Sequence, residues 1–264
     1  GADAIRQLDD AGIAQGVLLS QAYSFASPFA AADHPDVVNM TRRENRYTVD
    51  AALASGGRLK AFISVDPLVD SALPEIAYWA GQPGVAGLKL HLANSGYHPD
   101  SAQDIAKLAA VFDAARKAHL PIVIHLSNEK PYSAVAINRF IDEVLPHAGD
   151  LPVQIAHGGG GGGIDAVQLD DLAAYGAAIA RGAPGTKNLV IDLAVVLLEP
   201  GEDPALGRRM AEEIRKIGPS RFVTASDWPA ILTPKAHNAL QESQIPLTDA
   251  EWRIILANKA PYLR

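Results

Sequence analysis

Short apolar runs that reach a polar residue at or near their ends recur along this chain, with amphipathic stretches between them. Seven stand out: 16–20 (GVLLS), 60–66 (KAFISVD), 85–91 (VAGLKLH), 121–126 (PIVIHL), 152–157 (PVQIAH), 189–193 (LVIDL) and 221–227 (RFVTASD). Near-continuous hydrophobicity is what strands buried on both faces require, so the runs predict a parallel sheet covered by helices. Between them, Ile105, Leu108, Ala109, Phe112 and Ala115 place an apolar stripe along one face of 101–118, with Asp100 or Ser101 as its cap. Further helices are predicted at 2–11, 39–55, 71–80, 133–145, 165–181, 204–217 and 248–257.

This alternation predicts an α/β protein, and specifically a (β/α)8 TIM barrel. Eight strands close such a barrel, yet the chain opens on a helix and offers seven runs. The expectation is therefore a barrel whose first strand is missing from this sequence. An open doubly wound sheet of seven strands is the alternative, and no Gly-rich dinucleotide turn follows the first run to support it.

Composition narrows the function classes. A chain of 264 residues, 48% hydrophobic and 20% charged, has the material for one globular domain spanning 1–264. Its net charge of −7, spread in both signs, gives no basic field for nucleic acid. There is no cysteine, so thiolate metal sites and thiol nucleophiles are excluded. No apolar stretch is long enough to span a membrane, and residue 1 does not open a signal pattern. The compartment stays open, with the cytoplasm favoured.

Among the residues at or near the ends of the runs, His125, His157 and Asp227 are the candidate metal ligands. In a parallel barrel the C-terminal strand ends converge on one mouth, so residues distant in sequence can meet there. Two imidazoles and a carboxylate suit Zn2+, or Mn2+, with a position left for water. Each taken singly has a blander reading, a hydrogen-bonded structural histidine or a helix-capping aspartate.

The strings GLKLH (87–91), PIVIHL (121–126), IAHGGG (155–160) and SDWP (226–229) resemble the amidohydrolase-related branch of the amidohydrolase superfamily. So do RLKAFISVDP (58–67) and the terminal LTDAEWRIILANKAPYL (247–263). The likeness runs from about residue 45 onward, and the order of the motifs carries it more than any one of them. It implies that His125 binds a divalent metal, that Asp227 is a ligand or the base taking a proton from water, and that His157 acts in catalysis or binds a second metal. The chemistry is sound in general terms, since a divalent ion acidifies water and polarises a carbonyl, and a neighbouring carboxylate can move the proton.

One departure matters. The family's first strand ordinarily carries a His-x-His pair, and no such pair occurs in these 264 residues. A preceding segment of roughly ten residues, a strand and its turn, would account for both the missing run and the missing ligands. Without it, the expectation is an incomplete site with weak metal binding.

Further candidates are assigned to substrate. Lys89 and His91 lie two apart and so share a face; Lys89 is a candidate for a bridging carboxylated lysine, or for pairing with a substrate carboxylate or Asp192. Tyr23 belongs to a long connection, 21–39, rich in aromatic residues and containing His34, and Trp228 follows Asp227. The six glycines at 158–163 read as a flexible turn or as a backbone cradle, and Arg42, Arg43, Arg46 and Arg58 as surface charges. His98, His119, His147 and His237 carry no assigned role.

Three functions remain open at this point. The first is a metal-dependent hydrolase of an ester, lactone or amide of a small organic substrate, carboxylated or aromatic. The second is a non-hydrolytic decarboxylase or hydratase on the same scaffold. The third is a metal-free or inactive barrel with a binding role. The resemblance also leaves a homodimer open, because barrels of this family commonly pair.

Overall fold

The computed structural model describes residues 1–30, 36–126 and 132–263. The expected connection 21–39, with His34, therefore falls partly outside the described residues. Seven parallel strands stand in sequence order: β1 (Gly16–Leu19), β2 (Leu59–Ser64), β3 (Val85–His91), β4 (Ile122–His125), β5 (Val153–Ile155), β6 (Leu189–Asp192) and β7 (Phe222–Val223). Around them lie α1 (Ala2–Asp10), α2 (Val37–Leu53), α3 (Ala72–Trp79), α4 (Ala102–Lys117), α5 (Ala134–Arg139), α6 (Ala166–Ala180), α7 (Pro204–Ile217), α8 (Pro234–Gln244) and α9 (Asp249–Ala257). This is the β/α-barrel fold, with β1 and β7 at the two ends of the described ladder.

The sheet curls strongly. Helix α1, which leads into β1, packs against α8, which follows β7, so the two ends of the ladder approach each other at the level of the helices. Inside the ring, Tyr262 touches the Phe62 ring of β2 and donates to Gln154 of β5.

Alternation along each strand sorts the side chains into two layers. Leu88 and Leu90, Ile122 and Ile124, Val153 and Ile155, and Leu189 and Ile191 join the apolar core beneath the helices. The alternate set faces the interior and holds the polar residues Lys89, His91, His125, Gln154 and Asp192. Phe62, Val123 and Val190 are apolar members of the same layer, and Phe62 requires Gly87, since a Cβ there would sit 2.2 Å from the Phe62 ring.

Three elements differ from expectation. The last run keeps only Phe222–Val223 in the ladder, its final rung being Leu193 N–H to Val223 O at 3.1 Å. The helix over 133–145 stops at Arg139 and continues as a π turn and a 3-10 turn, because Pro146 supplies no N–H to extend an α ladder. Helix α8 was not foreseen from its polar sequence; Thr233 caps it from the side chain and Pro234 opens it.

The predicted cap of α4 is Ser101, which accepts from Asp104 N. Buried Glu75 joins α3 to α2 and β2: it accepts from Arg42, from Asn45 at 3.3 Å and from the Trp79 indole at 2.5 Å. Asn45 in turn exchanges two hydrogen bonds with the backbone of Ser64. Arg42 stacks on Tyr78, Arg46 lies over Trp79 and Arg58 pairs with Asp9, which commits these three arginines away from the barrel mouth. On α6, Asp171 and Tyr175 are fully buried, and neither side chain has a hydrogen-bond partner among the described residues.

Candidate active site

Three histidines occupy neighbouring strand ends. The register pairs His91 with His125, and their rings stack with centroids 4.0 Å apart and planes 16° apart. The His157 ring stands edge-on to His125 at 4.6 Å. Tyr23 adds a fourth ring at 4.9 Å from His91, held by its hydroxyl on Gln21 and its N–H on Ser64. Burial, aided by the nearby Lys89 and His157, lowers His91 to about 3. His125 is pushed lower still by burial and by His91, His157 and Lys89. Both rings are therefore neutral at neutral pH, the form in which imidazole ligates metal or moves a proton.

His157 is clamped more tightly. It is a buried non-glycine residue in the left-handed region, with φ of 57°. The Asp192 carboxylate fixes that turn, one oxygen accepting from His157 N at 2.9 Å and from Ala194 N at 3.0 Å. Its other oxygen accepts from Gln154 at 2.6 Å. The His157 Nδ1 lies 3.1 Å from the Ala194 carbonyl, which can only accept, so the neutral ring carries its proton on Nδ1. Nε2 is left with its lone pair, and no hydrogen bond occupies it among the described residues.

The glycines after His157 are not a loose turn. Gly158 has φ of 71°, and a Cβ there would lie 2.4 Å from the Gln168 amide, which donates to the His157 carbonyl at 2.6 Å. Close approach of α6, rather than mobility, demands glycine here. His237, assigned no role from sequence, is buried on α8 and accepts from Val195 N at 2.9 Å, which steadies the same β6 loop.

Asp227 follows β7 on the rim, exposed, with φ of 55°. Its charge is felt by Tyr23, which it helps burial push up to about 12, and by Lys89, so it stands over the same opening. Lys89 is 5% exposed, and burial brings it down to about 8 against the opposing pull of Asp192 and Asp227. No ion pair joins Lys89 to Asp192 among the described residues, contrary to one reading of the sequence. Trp228 bonds through its N–H to Ser226 at 3.3 Å and makes no ring contact with the histidines among the described residues. His91 is held at both ring nitrogens by Asn94, at 3.4 and 3.2 Å.

The donor chemistry of His125, His157 and Asp227 fits a borderline divalent ion. Among the described residues, no three His, Asp or Glu side chains draw together tightly enough to enclose one. The set is thus two imidazoles at the strand ends and a carboxylate on the exposed rim.

A family model described as Amidohydrolase matches residues 4–258. The chain belongs to the amidohydrolase family. No curated protein matches it in sequence. Among solved structures, this amidohydrolase is similar to 2,6-dihydroxybenzoate decarboxylase from Rhizobium (15% identity, 95% of this chain and 84% of that chain, TM-score 0.61). It is also similar to an amidohydrolase from Burkholderia multivorans with bound zinc (14%, 97% and 84%, 0.63). A third is 5-carboxyvanillate decarboxylase from Novosphingobium aromaticivorans with bound manganese (13%, 100% and 80%, 0.64). Proteins of this fold thus include enzymes that carry zinc or manganese. No described helix of this amidohydrolase is long and apolar enough to cross a membrane.

Sequence reasoning missed Gln154, Asn94 and the Ala194 carbonyl, and weighed Asp192 only as a partner for Lys89. For Asp192 a signal existed, an acidic residue closing a buried strand. Ala194 contributes a backbone atom, which no residue type announces.

Proposed function

We propose that this amidohydrolase is a metal-dependent hydrolase of an ester, lactone or amide of a small organic substrate. His125, His157 and Asp227 would hold the divalent ion, with zinc favoured over manganese by the imidazole donors. When bound, the ion supplies Lewis acidity to a carbonyl and to water. Asp227, on the rim, receives the proton that water gives up. His157 presents Nε2 as a ligand, or as the group that passes a proton to the leaving atom. Lys89 supplies a buried positive charge for a substrate carboxylate, and Tyr23 and His91 are the aromatic side chains that would contact an unsaturated ring. The observation that carries this reading is the buried His157 ring, anchored through Nδ1 on the Ala194 carbonyl at 3.1 Å and standing edge-on to His125 at 4.6 Å.

A second reading is non-hydrolytic decarboxylation. It is favoured by Lys89, a buried cation whose charge is felt by His91 and His125, and by two solved neighbours that are decarboxylases of carboxylated phenols. Elemental analysis of the zinc-loaded protein and of its His125→Ala variant tests the ion: zinc retained by the parent and lost in the variant is expected, and metal retained unchanged in the variant would overturn the ligand assignment. A screen of lactones, esters and carboxylated phenols then separates the reactions. Acid release from a lactone supports hydrolysis, and CO2 release from a phenol with no lactone turnover supports the second reading.

A further inference from the structure

The floor of the barrel holds a hydrogen-bonded path that the reaction described above does not use. Asn258, just after α9, donates to the carbonyls of Ser220 at 2.7 Å and Phe222 at 2.8 Å, which pins the end of the chain beneath the start of β7. From there the 3-10 turn Pro261–Leu263 carries Tyr262 upward into the ring. Its ring meets Phe62 edge-on at 4.8 Å, and its hydroxyl donates to Gln154 Oε1. Burial of the hydroxyl and the Asp192 charge push the Tyr262 pKa well above the usual tyrosine range, so it remains a donor.

The direction of each bond follows from the chemistry of its partners. A donor on Oε1 leaves the Gln154 amide with its Nε2 toward Asp192, to which it donates at 2.6 Å. The opposite amide orientation would set two oxygens against each other. With one Asp192 oxygen held by Gln154, the other is aligned on the N–H groups of His157 and Ala194. Ala194 in turn offers its carbonyl to His157 Nδ1. The path therefore runs from the strand-start end of the barrel to the mouth through four side chains and the backbone of Ala194, every member buried or partly buried.

We infer that Tyr262 is a positioning residue for the active site: through Gln154 and Asp192 it holds His157 in its left-handed turn with the proton on Nδ1 and Nε2 free. It also keeps both Asp192 oxygens engaged, which accounts for the absence of an ion pair with Lys89 among the described residues and leaves that cation available to a ligand. The functional meaning of this arrangement rests on the reading of His157 proposed above; the arrangement itself can be tested without metal or substrate.

The test uses the metal-free protein labelled with 15N-histidine, with His157→Gln identifying the His157 signals. In the parent protein the His157 ring is expected in the Nδ1–H form, with slow exchange of that proton. Tyr262→Phe keeps the ring on Phe62 and removes the hydroxyl; it is expected to populate the Nε2–H form and to speed exchange of the Nδ1 proton about tenfold, the effect of one weakened buried hydrogen bond. Gln154→Leu should produce the same change, and adding Tyr262→Phe to it should produce no more. A Tyr262→Phe protein with a lowered melting temperature but an unchanged His157 spectrum would overturn the inference, leaving Tyr262 as floor packing. Should Tyr262→Phe not fold, an unchanged His157 signal in Gln154→Leu overturns it equally, because the path runs through Gln154. Failure of the parent protein to bind zinc, with the tautomer response intact, would sink the proposed metal chemistry alone.

Discussion

The rings of His91 and His125 lie face to face, 4.0 Å between centroids. Buried rings in that arrangement resist charging, and so the mouth of the barrel is built for neutral imidazole.

Stability should consequently fall in mild acid. His91 has a folded pKa of about 3, below its unfolded value of about 6.5, so the unfolded chain takes up more protons once the pH drops through the ordinary histidine range. The His91 contribution is complete above about 6.5 and is lost progressively as the pH falls toward the folded value. Melting temperatures of the metal-free protein between pH 7.5 and 4.5 should decline less steeply in His91→Gln. Parallel curves for parent and variant would refute this origin.

Asp171 should give the opposite slope. Burial, with Asp170 and Asp165 nearby, raises it to about 7. A carboxyl whose folded pKa is raised contributes fully at low pH, and that contribution is lost as the pH climbs through the folded value. Asp171→Asn removes the charge without changing the volume. It is expected to raise the melting temperature by about 2 °C or more at pH 8 and by clearly less at pH 5, part-way down the window between the folded and unfolded values. An equal effect at both values would argue that the cost lies in shape.

Replacing Asp192 tests the clamp on His157. The side chain is 3% exposed and accepts from two backbone N–H groups and one amide. Asp192→Ala leaves those donors unpaired and should destabilise the fold by about 3 kcal/mol, read from urea unfolding. A loss well below about 1 kcal/mol would mean that water replaces the carboxylate without penalty.

Lys89→Met should discriminate between substrates. A buried cation that binds a carboxylate is worth about tenfold or more in affinity. KM for carboxylated substrates should rise by that factor in the variant while neutral lactones are handled as before. An equal change for both classes would assign Lys89 to the architecture of the barrel.

Much of the fold was legible because its strands are buried on both faces. That burial wrote itself as apolar runs, and Val85–His91 appears in the structure with the bounds its pattern predicts. Helix α8 escaped because PKAHNALQESQ shows little apolar stripe, its few inward residues, among them His237 and Gln241, being polar. The candidate site was legible where an apolar run closes on a titratable residue: His125 ends β4, while His157 and Asp227 close their runs a few positions beyond β5 and β7. It was illegible where the arrangement depends on pairing across the ring: Tyr262 and Gln154 are 108 positions apart, and nothing local to either predicts their bond.

His157 and Asp227 share one property that neither needs for chemistry: both are non-glycine residues with positive φ. Such backbone costs of the order of 1 kcal/mol per residue, relieved by glycine. The two positions that aim the side chains are thus places where robustness has been surrendered. Asp227→Gly, on the exposed rim, should melt higher than the parent while losing turnover, so a screen that rewards heat resistance alone would select against catalysis in this barrel.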